Sequence, residues 1–172
     1  MAIGYRSQFR NRLVYLVKRN VTLTYSPFYF NQQSNGTSEG LVSNYTNSSG
    51  TAIPQGTPVS LTGSQDLIAP TDVTSQSSVS RFVGIAQFRI PGNANGPVIS
   101  NGRLLNLGGY SFSIGDSIWI GLSGIIQNVR PDYGVTGFAT GDYVYFVGTI
   151  TQNESNNLQQ DLVILPQLIG QL

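Results

Sequence analysis

The tripeptide Phe-Val-Gly occurs twice, at Phe82 to Gly84 and at Phe146 to Gly148, and each copy closes a similar passage. The first passage opens on Gly56-Thr-Pro-Val-Ser-Leu-Thr-Gly63 and ends on Arg81-Phe-Val-Gly-Ile-Ala-Gln87. The second opens on Gly115-Asp-Ser-Ile-Trp-Ile-Gly121 and ends on Tyr145-Phe-Val-Gly-Thr-Ile-Thr-Gln152. Gly56 to Gly84 spans 28 residues and Gly115 to Gly148 spans 33, so the two passages are of similar length. Each reads as a glycine turn, a strand of alternating apolar residues, a second short strand (Leu67-Ile68, then Ile125-Ile126) and a closing Phe-Val-Gly strand. Glycine inside that last strand signals a bulge or the close approach of another backbone. The chain is therefore expected to contain two copies of a three-strand unit.

The remaining pattern is also β. Val59 and Leu61 alternate with Ser60 and Thr62, while Ile118, Ile120 and Leu122 alternate around Trp119 and Gly121. Tyr143 to Val147 is an apolar and aromatic run, short for a helix and suited to a strand buried on both faces. Asn101-Gly102 lies between Val98-Ile99 and Leu104-Leu105, which predicts a two-residue hairpin joining the units. Eight Pro and 20 Gly leave little room for helices. The expected fold is all-β: a compact barrel or sandwich of about eight short strands built from two similar units, with an extended N-terminal arm.

Composition divides the chain into three regions. Residues 1–30 form a basic, aromatic arm in which Tyr5, Phe9, Leu13 and Leu16 have helical spacing, although residues 13–17 suit a strand equally well. Residues 31–56 are polar and low in complexity, and read as a linker or long surface loop. Residues 57–172 are the body. It ends in Leu162-Val-Ile-Leu-Pro-Gln-Leu-Ile-Gly-Gln-Leu172, where Pro166 is expected to separate a final strand at 161–165 from an apolar hook at 167–172. An end of this kind needs covering, by its own domain or by a neighbouring subunit.

The chemistry open to the chain is narrow. It contains no His and no Cys, which excludes Ser-His-Asp and Cys-His nucleophilic sites, thiolate or imidazole metal sites, and disulfides. The only lysine is Lys18, so no phosphate-binding Gly-Lys loop exists. Asp66 with Asp72, or Asp132 with Asp142, supply the two carboxylates a glycosidase requires. However, Asp116 and Asp142 sit in Gly-Asp pairs just before strands and Asp132 in a Pro-Asp pair, which are turn positions. No catalytic, cofactor or metal residues are assigned, and the chain is expected not to be an enzyme.

Charge is asymmetric. Arg6, Arg10, Arg12, Lys18 and Arg19 all precede the first acid, Glu39, and from there on four bases face eight acids. Five positive charges among Tyr and Phe could contact phosphates and bases, but that footprint is small and the body is acidic, so nucleic acid is an unlikely partner. Docking on an acidic protein surface is the preferred reading. No run approaches the ~20 apolar residues that span a bilayer, and the arginines of the arm interrupt any secretory-signal core. The candidate partner-contact residues are Arg6, Phe9, Arg10, Arg12, Lys18, Arg19, Trp119, Leu168, Ile169 and Leu172. Trp119 must point away from the face of Ile118 and Ile120, toward a second buried layer, a subunit contact or a sugar platform.

The run Gly56 to Leu61, Val83 to Ala86, Val98 to Leu105, Gly115 to Gly124 and Val147-Gly148 resembles small β-rich structural proteins of tailed-bacteriophage virions, of the capsid-decoration (cement) and head-fibre-base type. The likeness covers roughly residues 56–165; the arm aligns with no part of it. It implies a non-enzymatic virion component, a homo-oligomer with a trimer favoured, bound to the major capsid protein or another virion protein. The leading expectation is thus a cement protein. A tail or fibre component, as an adaptor or fibre-anchoring domain, comes next. A carbohydrate-binding module of a receptor-binding protein follows, and a hydrolase comes last.

Overall fold

The computed structural model describes residues 38–63, 66–134 and 137–172. The arm, with Arg6, Phe9, Arg10, Arg12, Lys18 and Arg19, lies outside the described residues. Nine strands and one helical turn follow in chain order: β1 (Ser38–Asn47), β2 (Pro58–Leu61), β3 (Leu67–Pro70), α1 (Gln76–Val79), β4 (Phe82–Ala86), β5 (Asn95–Leu104), β6 (Ser117–Ile120), β7 (Ile126–Gln127), β8 (Tyr143–Gln152) and β9 (Gln160–Gln171). The all-β expectation holds, with a closed five-stranded barrel and further strands beside it.

The repeat is present in the pairing. β2 lies between β3 and β4, and β6 lies between β7 and β8, antiparallel throughout. Val59 stands opposite Gly84 and Ser60 opposite Phe82, leaving Val83 as an extra residue. Ile118 stands opposite Gly148 and Trp119 opposite Phe146, leaving Val147 as the extra residue. Both Phe-Val-Gly motifs therefore encode the same bulge. The glycine is required because the next strand runs against it. A Cβ on Gly84 would sit 2.3 Å from the Ile99 carbonyl oxygen of β5, and one on Gly148 would sit 1.8 Å from that of Val163 in β9.

Closure separates the two halves. β1 pairs antiparallel with β5 from Ser38↔Leu104 to Thr46↔Asn95, and its end, Thr46–Asn47, pairs parallel with Leu67–Ile68 of β3. This closes β1-β3-β2-β4-β5 into the barrel. The second edge of β5 is divided: Val98 and Ile99 pair with β4, whereas Gly102 to Leu104 pair with β9. The second half, β9-β8-β6-β7, thus borrows part of β5 and stays open. β4 and β5 are buried on both faces. Ile85 and Ile99 enter a core with Ile118, Ile120, Val147, Ile150, Leu162 and Ile164, and Ala86 and Val98 enter another with Ile53, Val59, Ile68 and Ile90.

Three sequence expectations are corrected. Residues 31–56 are not simply a linker, because 38–47 are the barrel's closing strand. β1 has few apolar residues, and its stability comes from a long hydrogen-bonded ladder and from Asn47. That fully buried side chain donates to the carbonyls of Thr51, Ile90 and Pro91 and accepts from the Ser49 N–H. Asn101-Gly102 is not a hairpin; it lies inside β5, with β1 on one side and β9 on the other. Gly102 takes φ +119° and faces Gly40, where a Cβ would lie 2.1 Å from the Asn101 carbonyl oxygen, so the glycine serves a close backbone contact. Nor does Pro166 end a strand. β9 runs unbroken from Gln160 to Gln171, because Leu165 and Pro166 together oppose Val147 alone. In that bulge the missing proline N–H removes no regular ladder bond.

Candidate functional site

The second unit presents an aromatic outer face. Ile118 and Ile120 are fully buried, so alternation turns Trp119 to the opposite side, where it is half-buried. Its direct neighbours across the sheet are Gln127 on β7 and Phe146 on β8, and Phe146 in turn stands opposite Gln167 on β9. These four side chains share one face as a row, Gln-Trp-Phe-Gln. The Trp119 and Phe146 rings meet edge to face at 5.3 Å, and the Arg130 guanidinium lies 5.8 Å from the indole centre. In the first unit Ser60 occupies the position of Trp119, buried and hydrogen-bonded to Thr71 at 2.8 Å. The outer aromatic row is therefore particular to the second unit.

The C-terminal strand carries the other expected contacts. Leu162 and Ile164 are fully buried, whereas Leu165, Leu168 and Ile169 are 56%, 47% and 45% exposed. Leu172 is half-buried against the larger core, and its backbone N–H bonds the Asp142 carbonyl. The domain thus covers Leu172 and leaves Leu168 and Ile169 open. The structure brings Leu168 and Ile169 together on one strand. Trp119 lies in the neighbouring row, two strands away.

A buried polar cluster escaped the sequence reading. Asp161 is fully buried at the start of β9; its Oδ1 accepts from the Asn106 N–H (2.9 Å) and the Asn153 amide (2.8 Å). Its Oδ2 stands 2.9 Å from the Arg103 Nε, and the Arg103 fork continues to Glu154 (2.6 Å) and the Gln152 carbonyl (2.7 Å). Asn153, also buried, accepts from the Ser155 and Asn156 N–H groups and so shapes the β8–β9 loop. Arg103 stands opposite Val163 across the β5–β9 junction, which places Asp161 diagonally from it, two residues along β9. An aspartate immediately before the continuous apolar run Leu162-Val-Ile-Leu165 was the available signal, but its partner 58 residues earlier was not legible.

The aspartates expected at turns are engaged there. Asp116 accepts from the Ser113 N–H and the Asn128 amide, and these hydrogen bonds, the backbone one first, hold its carboxyl below its ordinary pKa. Asp142 accepts from the Ala139 N–H and Asp132 from the Tyr133 N–H, and Asp72, named above only as a glycosidase carboxylate, likewise accepts from the Thr74 N–H. Burial raises the phenol pKa of both Tyr110 and Tyr145. Among the described residues, no group of three or more acids could hold a metal ion, and no helix is long and apolar enough to cross a membrane. No protein-family model matches the sequence, and no curated protein is similar to it.

Proposed function

We propose that this protein is a non-enzymatic structural component of a bacteriophage virion, a decoration or cement protein that stabilises the capsid shell through contacts with the major capsid protein and with its own copies. The observation that carries the reading is the later part of the C-terminal strand: Leu165, Leu168 and Ile169 stand exposed on residues 165–171, which include no charged side chain. A surface of this kind is suited to burial against a partner, since little desolvation opposes it. The charge division supports the same reading. Residues 1–37 carry five bases and no acid, while residues 38–172 carry four bases and eight acids, a net of −4. Arm and body are thus complementary, and repeated copies can interlock.

The test is binding to preformed shells. The full chain is expected to join shells that lack it and to raise their tolerance of heat and osmotic shock, while a chain without residues 1–30 is expected to stay in solution. Labelled protein found at the tail or a fibre would instead favour the adaptor or fibre-anchoring role. The Gln127-Trp119-Phe146-Gln167 row favours a second reading, a carbohydrate-binding module, because an aromatic platform flanked by amides suits a sugar ring. Glycan-array binding abolished by Trp119→Ala would replace the cement reading with that one.

A further inference from the structure

The two units are displaced by 64 residues along their later strands, from Gly84 to Gly148 and from Ile99 to Val163. Asn101–Leu104 of β5 therefore corresponds to Leu165–Leu168 of β9. In the first unit this stretch is covered by Ser38–Leu41 of β1. In the second, one edge of β9 pairs with β8 along its length and the other pairs with β5 only at Leu162, Val163 and Ile164. Beyond Ile164 β5 turns to β4, and no described strand pairs that edge of Leu165–Gln171. The bare edge carries exposed leucine and isoleucine and no charge; its one proline, Pro166, lies in the bulge opposite Val147, and 167–171 has neither proline nor charge to keep another strand away.

We propose that the N-terminal arm of a neighbouring copy adds to this edge, with Leu13–Val17 pairing antiparallel to β9 as β1 pairs with β5. The proposal rests on the reading of the protein as one that works by assembly. The segment Leu13-Val14-Tyr15-Leu16-Val17 is apolar at every position, which suits an edge with apolar side chains on both faces; Arg10, Arg12, Lys18 and Arg19 flank it and face a body of net −4. Residues 18–37 span up to about 65 Å when extended, ample to reach an adjacent molecule. A strand laid antiparallel on 165–171 ends beside Ile164, close to the level of Ser38, since Ser38 and Leu162 both pair with Leu104. Direction therefore admits the chain's own arm as well, and the arm of a second copy is chosen because the protein is read as one that works by assembly.

The chain has no cysteine, so single thiols report contacts cleanly. Full-length Tyr15→Cys and Leu168→Cys chains, carrying tags of different size, are refolded together and treated with a short bismaleimide. The expected result is a covalent heterodimer, about tenfold more abundant than with Ser77→Cys on exposed α1 in place of Leu168→Cys. A yield no higher than that control overturns the proposal. Leu168→Cys linking to itself also overturns it, because β9 would then pair with β9 of a second copy. A double variant that links only within one chain overturns the exchange between copies. As a second measurement, Ile169→Lys is expected to lower the oligomer's mass in light scattering while leaving the unfolding midpoint within error; unchanged mass counts against the proposal. These measurements use free protein. Lost cross-linking with intact shell binding sinks the arm exchange alone, and lost shell binding with intact cross-linking sinks the virion reading alone.

Discussion

In the first unit Val59 faces Gly84, Val83 bulges and Ser60 is buried against Thr71; in the second Ile118 faces Gly148, Val147 bulges and Trp119 looks outward. The units agree wherever a backbone contact dictates the residue and differ where a side chain meets its surroundings. They also differ in closure. β1 seals the first into a barrel, whereas the second shares β5 and ends on the two-residue strand β7 and on a β9 that is half uncovered. One β-strand has two edges. Once β1 occupies one of them, β4 and β9 must divide the other, and only one unit can close completely.

The largest effect should come from the shared glycines. Gly84→Ala and Gly148→Ala each push a methyl into a carbonyl of the next strand, and each is expected to lose at least about 3 kcal/mol in denaturant unfolding. A loss below about 1 kcal/mol at either site would break the equivalence of the two bulges. Asp161 sharpens the contrast, since the cluster belongs to the β5–β9 junction alone. Asp161→Ala removes the buried carboxylate beside the Arg103 Nε and one hydrogen bond each from the Asn106 N–H and the Asn153 amide, and should cost about 3 kcal/mol. Glu154→Ala, at the end of the network where the carboxylate is 83% exposed, should cost under about 1 kcal/mol.

Smaller effects follow at Ser60 and Trp119, which share one position in the repeat. Ser60→Ala removes a buried hydroxyl pair and should cost about 1 kcal/mol. Trp119→Ala should cost about 1–2 kcal/mol through its contact with Phe146. If Trp119→Ala proves the costliest of all these changes, the residue is core rather than surface. The smallest effect is at Asp116. Its folded pKa lies below the ordinary 3.8, so the stability it adds is present above that pH and is lost as pH falls through the depressed folded value. Acid titration of unfolding should therefore be slightly shallower for Asp116→Asn than for the parent below pH 3.8, the parent's small advantage being full at neutrality and fading in acid.

Much of this fold was legible because it was written in local pattern. Alternation placed Ile118 and Ile120 inward and Trp119 outward, and Phe-Val-Gly marked both bulges. The aspartates of Gly-Asp and Pro-Asp pairs do bind their own turns. The failures share one cause. Asn101-Gly102 has the composition of a reversal, yet strands on both sides hold it extended. Residues 38–47 have the composition of a linker, yet a ten-residue ladder and a buried Asn47 make them a strand. Of the expected contact residues, Leu168 and Ile169 were legible as apolar and terminal, but their exposure depends on where β5 leaves β9.

The amino-acid sequence by itself determined the β class, the repeated unit and its glycine contacts, and the inward and outward face of each alternating strand. Side-chain period and the volume of a single Cβ are local quantities, carried by each residue to its own neighbours. Only the tertiary structure decided that β1 closes a barrel, that β5 serves both halves and that β9 keeps a bare edge. Those outcomes rest on backbone hydrogen bonds along strand edges, which any residue but proline can make and which therefore leave almost no trace in the order of side chains.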